Sequence, residues 1–405
     1  MAPFANPFRP GAGHVPPYLA GRDLEIADFR KFLSQTVVLQ NVVLTGLRGV
    51  GKTVLLDALR PLAVNDGWAW IGTDLSETSS LTEENLATRL LTDLSVFTSS
   101  VVVAQRDIQP PGFTAQSSLV SETLGYTLLR QIFETTPGLI ADKLKFVLEI
   151  VWRSLDHSGR KGLVFAYDEA QTLADHRAKD QFPLSVLLDV FQSLQRKGAP
   201  FLLLLTGLPT LFPKLVEART FSERMFHTIT LDRLKDADSR DAITKPVAQA
   251  QCPIQFSNES VDAITKSSGG YPYFIQFICR EVFDIFIQQR AANQPASVPV
   301  QEIEQKLDSD FFFGRWSKTT DRQREFLSVI ADLDNADEEF TVQEIVARSK
   351  QRLEKPFTPS HVNQILNTLA GLGLVYRNRH GKYSFAVPLL GKFIRRQSFV
   401  SQRKL

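Results

Sequence analysis

The chain lacks the residues that staple small folds. Two cysteines, Cys252 and Cys279, stand in 405 residues. They cannot build a disulfide framework, and no Cys/His group has zinc-ligand spacing. Long apolar runs are missing too. Stretches such as Phe201–Leu205 fall far short of the roughly 18–20 residues that span a bilayer, so no membrane helix is expected. The opening MAPFANPFRPGAG lacks the basic-then-apolar layout of a signal peptide, and a cytoplasmic protein of a reducing compartment is the expectation. There is no internal repeat and no low-complexity tract. Acidic residues are absent from one end: Thr358 to Leu405 holds eight Lys/Arg and no Asp or Glu. Since the whole chain nets +2, the part before Thr358 carries −6. That asymmetry points to an anionic partner at the C-terminal end.

What is present is a normal globular balance, 43% apolar and 22% charged, over a length suited to two or three domains. Met1–Pro17 is rich in Pro and Gly and reads as an extended arm; Leu24–Leu33 follows as a short amphipathic helix. Brief apolar strands are expected at Val42–Leu44, Trp68–Ile71, Leu163–Tyr167 and Phe201–Leu205. Helices are expected at Thr53–Arg60 (ended by Pro61), Thr82–Phe97 and Leu184–Gln195. Ser99–Ser118, with Pro110-Pro111, reads as loop or insertion, and Leu119–Leu155 as helix broken near Pro137-Gly138. The alternation predicts an α/β fold, a parallel sheet with helices on both faces. Asp236–Gln289 is mainly helical, and Ala291–Pro299 separates off a last domain.

One octapeptide carries chemistry. Gly46-Leu47-Arg48-Gly49-Val50-Gly51-Lys52-Thr53 matches G-x-x-x-x-G-K-[ST] in full. Glycines let such a loop wrap so that its backbone N–H groups point at phosphate oxygens. The helix that follows adds its positive end, and Val54 lies in its first turn. Lys52 is expected to reach the β- and γ-phosphates of ATP, and the Thr53 hydroxyl to ligate Mg²⁺. An apolar strand runs into the loop and an apolar-faced helix runs out, the context this motif requires.

Such a site needs a second strand ending in a carboxylate. Leu163–Tyr167 followed by Asp168-Glu169 qualifies, with Asp168 on the Mg²⁺ side and Glu169 placed to orient and deprotonate a water. Thr206, ending the Phe201–Leu205 strand, is a candidate sensor of the γ-phosphate or holder of that water.

These residues resemble those of AAA+ P-loop ATPases, in the branch close to origin-recognition and STAND-type ATPases. Leu19-Ala20-Gly21-Arg22-Asp23-Leu24-Glu25 looks like the box that in this group packs beside adenine, which implicates Gly21 and Arg22. Gly270-Tyr271-Pro272 looks like the G-x-P of the group's helical lid and brings Pro272 to the nucleotide. Phe221–Phe226 is similar to the segment that often carries a phosphate-facing arginine, here Arg224, with Arg219 as its rival. Pro272 stands where many lids carry a sensor arginine, and Thr206-Gly207 where Asn is frequent.

The last domain follows the same pattern. Three helices, at Thr320–Leu333, Thr341–Lys350 and Thr358–Leu372, precede two strands around Asn378–Gly381, an order that looks like a winged helix. Ser360, His361, Asn363, Gln364 and Asn367 are expected outward on its third helix. Arg377, Arg379 and Lys382 on the wing are candidates for phosphate contacts with double-stranded DNA. The expected division is 1–40 arm and adenine-side helix, 41–232 ATPase core, 233–300 helical lid and 301–405 winged helix. The resemblance implies an ATP-hydrolysing, nucleotide-dependent switch engaging DNA. The alternative is a signalling or scaffold ATPase whose winged helix contacts protein. A homo-oligomer or a protein partner belongs to the expectation as alternatives.

Overall fold

The computed structural model describes residues 5–11, 13–108, 118–252, 254–379 and 381–402. Pro110-Pro111, Arg403 and Lys404 lie outside the described residues, as does the side chain of Arg379. The chain packs as two compact units. One comprises Asp23–Thr45 and Leu55–Thr230; the other comprises Met1–Arg22, Gly46–Val54 and Leu231–Leu405.

In chain order the elements of the first unit, with those that straddle its boundary, are α1 (Asp23–Leu33), β1 (Asn41–Gly46), α2 (Lys52–Asn65), β2 (Trp68–Ile71), α3 (Glu83–Thr98), β3 (Val102–Ile108), β4 (Ser118–Thr123), α4 (Tyr126–Thr135), α5 (Ile140–Ser158), β5 (Gly162–Tyr167), α6 (Pro183–Arg196), β6 (Phe201–Gly207), α7 (Leu211–Ala218), α8 (Ser222–Met225) and β7 (Phe226–Leu231). Five strands form one sheet in the order β2-β5-β6-β1-β7, and the β2–β5, β5–β6 and β6–β1 pairs are parallel. Every residue of β1, β5 and β6 is buried, which is why these strands read as unbroken apolar runs.

Alternation divides the sheet's faces. Leu163, Phe165 and Tyr167 of β5 and Phe201, Leu203 and Leu205 of β6 join one core with α3, α4, α5 and α6. On the opposite face the Trp68 indole donates to the Leu33 carbonyl at 3.0 Å, and Phe29 meets Trp70 edge-on with centroids 6.2 Å apart. Helix α1 therefore covers that face.

Two expectations give way here. The helix predicted to end at Pro61 runs on to Asn65: Pro61 is exposed, while Leu59 and Ala63 are buried and anchor both sides of it. The stretch read as loop and then helix from Ser99 contains an antiparallel hairpin, with Val102–Ile108 paired to Ser118–Thr123. Strand β7 had no prediction at all.

The second unit is mostly helical: α9 (Asp236–Gln249), α10 (Asn258–Ser268), α11 (Pro272–Ala291), α12 (Val300–Leu307), a π-helical segment Asp308–Phe312, α13 (Phe313–Trp316), α14 (Asp321–Ala331), β8 (Phe340–Thr341), α15 (Val342–Arg352), α16 (Pro359–Gly371), β9 (Val375–Arg379), β10 (Lys382–Phe385) and α17 (Leu390–Gln402). Caps set several starts. Thr341 and Glu344 form a reciprocal capping box, and Thr358 caps α16 ahead of Pro359. Val362, Ile365, Leu366 and Leu369 form the buried stripe of α16. The strands order as β8-β10-β9, so the expected two-stranded hairpin gains a third strand. Helix α17, also unforeseen, packs on α14. One continuous core runs from α9–α11 through α12 into α14–α17, and Phe8 of the N-terminal arm is fully buried in it.

Candidate functional site

The phosphate-loop residues pack with the second unit. Gly49 and Gly51 adopt φ of 80° and 90°, left-handed values that favour glycine. A Cβ on Gly46 would stand 2.4 Å from the Leu231 carbonyl oxygen, so a close backbone approach requires glycine there. Val50 is buried and Arg48 exposed; Leu47, Gly49, Gly51, Lys52, Thr53 and Val54 are half-buried. Lys52 Nζ donates to the carbonyls of Gly46 and Leu47, 2.9 Å each, which folds the ammonium back over its own loop.

Three distant segments hold this loop. Arg22, buried, donates through Nη2 to Val50 O at 2.9 Å and Asp232 O at 2.8 Å. Gly21, at φ 61°, turns the chain against Asp238 just before it. Pro272 opens α11, and the next residue, Tyr273, donates its backbone N–H to Gly49 O at 3.1 Å. Tyr273 escaped the sequence reading because its contribution is a main-chain group. Gly13 of the arm comes within 3.2 Å of the Thr53 methyl, measured from its would-be Cβ.

The acidic residues belong to the first unit. Register aligns three strand ends: Tyr167 pairs with Leu205, and Thr206 pairs with Leu44 of β1. The carboxyl ends of β1, β5 and β6 thus lie side by side, the edge where open α/β sheets gather ligands. Asp168 is buried at that edge, with its N–H on Thr73 O and its carbonyl accepting from Leu75 N. Its Oδ1 accepts from the Glu169 N–H at 2.7 Å. Glu169 is exposed and left-handed, φ 51°, a conformation that costs a non-glycine residue on the order of 1 kcal/mol and gathers at functional turns.

Gln171 ties this turn down. Its amide donates to the Glu169 carboxylate, its Oε1 accepts from Leu208 N at 3.1 Å, and its carbonyl accepts from Lys214 Nζ at 2.7 Å. The sequence reading missed it because nothing about a lone Gln two residues on marks it. Thr206 is fully buried, and its Oγ1 has no hydrogen-bond partner; the same holds for Thr45 Oγ1 on β1. A buried hydroxyl without a partner is costly, and the register sets these two on opposite faces of the sheet, Thr206 beside Leu44 and Thr45 beside Gly207.

The two candidate arginines differ. Arg219 is engaged within the fold, bidentate with Asp189 and also on Ser185. Arg224 is exposed on α8 and forms no ion pair among the described residues.

On the last domain, Ser360, Asn363, Gln364 and Asn367 are exposed along α16 and His361 is half-buried. Arg377 is exposed and Lys382 half-buried on the wing. Much of the remaining basic tail is spent internally. Lys392 bonds to Lys266 O at 3.1 Å, Arg395 to Ala331 O and Asp337, and Arg396 to Asp308 and Glu304.

A parallel sheet with a glycine phosphate loop after β1 and a carboxylate after β5 defines a P-loop ATPase fold, and the helical second unit narrows it. The Walker-type ATPase PABY2304 of Pyrococcus abyssi matches with a TM-score of 0.56 at 15% identity, over 93% of this chain and 96% of that one. The ORC2 protein of Aeropyrum pernix, solved as ADPNP–ADP complexes, matches with a TM-score of 0.54 at 13% identity, over 98% and 97%. The chain has the fold of the ORC-like AAA+ ATPases. A family model described as a domain of unknown function (DUF8462) matches residues 309–394. No curated protein matches the chain.

Proposed function

We propose that this protein is an ATP-binding and ATP-hydrolysing switch that engages double-stranded DNA through the wing of its last domain. The observation that carries the nucleotide reading is the loop itself: glycine-only geometry at Gly46, left-handed Gly49 and Gly51, and Lys52 folded over the cradle. Gly46–Val54 would hold the phosphates, with Gly21, Arg22 and Pro272 supporting loop and base from either side. The unpartnered Thr206 hydroxyl and buried Asp168 fit a bound triphosphate and its metal. Thr53 and Asp168 would hold Mg²⁺, which supplies charge neutralisation on the phosphates.

Hydrolysis adds water to the γ-phosphorus and breaks the bond to the β-phosphate oxygen. Glu169 would take the water's proton as that bond forms, and Gln171 keeps its carboxylate in place. Thr206 would hold the water or the γ-phosphate. Arg224, exposed, suits an arginine that serves the active site of a second copy in a homo-oligomer. The test is Glu169→Gln: it should keep MgATP binding and lose turnover. A variant that turns over like the parent would refute the assignment.

For the DNA step, the support is the wing's Arg377, Arg379 and Lys382. The competing reading, a winged helix that docks on protein, draws on a specific observation. The outward face of α16 carries no Lys or Arg, and Lys392, Arg395 and Arg396 already have partners inside the fold. Anisotropy of labelled duplex DNA across a salt series separates the two. Binding that weakens steeply with salt and is lost on mutating the three wing residues supports DNA; no binding at low salt supports protein.

A further inference from the structure

A run of aromatic rings starts at the phosphate loop and ends in the last domain. Tyr273, whose N–H holds Gly49 O, packs its ring 5.3 Å from Phe311. Phe311 meets Phe312 edge-on at 5.0 Å, and Phe312 stacks on Phe393 of α17 at 5.1 Å with planes 20° apart. Trp316 closes the run, edge-on to Phe393 at 5.6 Å. Phe311 and Phe312 both sit in the π-helical segment Asp308–Phe312. Asp308, at the start of that segment, is paired with Arg396 of α17.

Resting on the reading of Gly46–Thr53 as a nucleotide loop, we infer that this π-helical segment is a register switch. It carries the state of the loop to the last domain, with Phe311 as its input contact and Phe312–Phe393 as its output. A π turn contains one residue more than an α turn and occurs mostly as a single-turn bulge at functional sites. Resetting it to α turns everything downstream by about 100° and shifts it by about 1.5 Å relative to α12. Phe312 stays on Phe393 and carries the last domain with it, while Asp308 parts from Arg396. This supplies a discrete two-state element, which coupling between distant sites requires.

The Arg48 side chain also lies beside the last domain. Arg48 Nη1 lies 3.8 Å from the would-be Cβ of Gly373, in the turn between α16 and β9. Arg315, one turn past the π segment, is held below the usual guanidinium range by burial and by the like charge of Arg48.

The test labels the full chain with 5-fluorotryptophan, which places reporters at Trp68, Trp70, Trp152 and Trp316. The Trp316 resonance is assigned by its loss in Trp316→Phe. Binding of a fluorescent ATP analogue is measured in parallel. Saturating MgATP analogue is expected to shift the Trp316 resonance. Phe311→Ala should keep analogue binding and lose most of that shift. If Phe311→Ala collapses the Trp68 resonance, marking misfolding, Phe311→Leu carries the test with the same expectation. Bound analogue with an unmoved Trp316, or an unchanged shift in the Phe311 variant, overturns the switch while leaving the nucleotide reading intact. Absence of analogue binding overturns the nucleotide reading and the switch with it.

Discussion

The phosphate loop and the acidic end of β5 are built in opposite ways. The loop is held through main-chain oxygens: Arg22 on Val50 O, the Tyr273 N–H on Gly49 O, Lys52 on Gly46 O and Leu47 O, and Gly46 against Leu231 O. The end of β5 is held through side chains, Asp168 Oδ1 on the Glu169 N–H and Gln171 on the Glu169 carboxylate. A site of the first kind tolerates changes in outward side chains such as Leu47 and fails when an atom is added to its backbone envelope. A site of the second kind keeps its outline under an isosteric substitution such as Glu169→Gln and fails when one functional group changes.

That contrast can be broken in order of expected effect. Glu169→Gln preserves shape and removes a base, so turnover should fall by about 10²–10⁴-fold, read by phosphate release, with nucleotide affinity nearly unchanged. Gly46→Ala should act on the loop's packing. Overpacking against Leu231 O should cost roughly 1–3 kcal/mol in denaturant unfolding and weaken nucleotide binding as well. If Gly46→Ala lost only turnover, the division would be wrong. Arg22→Ala strips Val50 O and Asp232 O of their shared donor, an expected loss of roughly 1–3 kcal/mol with binding reduced and the turnover of bound nucleotide largely kept. The wing changes should be the mildest. Each of Arg377, Arg379 and Lys382 that contacts a phosphate is expected to lower the salt slope of DNA binding by about 0.9 when removed.

What was legible in the sequence follows the same division. The octapeptide could be read because its chemistry is local: eight consecutive residues supply both the cradle and the helix start. The strand ahead of Asp168-Glu169 could be read because burial on both faces makes a continuous apolar run. The loop's supports were harder. Tyr273 acts through its backbone, and Arg22, singled out by resemblance for the adenine side, has its guanidinium on the carbonyls of Val50 and Asp232. Strand β7 was missed because its definition lies beside the distant β1, and β3 and β4 because they form a hairpin in a stretch without a clear period. The basic tail looked unopposed because its counter-charges, Glu304, Asp308 and Asp337, sit elsewhere in the chain. Charge counted along a sequence is not charge presented to solvent.

Equilibrium binding of MgATP to the full chain, beside Lys52→Ala, tests the central claim most directly. Lys52 makes charge-assisted bonds, so its removal should weaken saturable binding by about 10–100-fold while the fold persists. Equal binding by parent and variant, or none by the parent, would contradict the account.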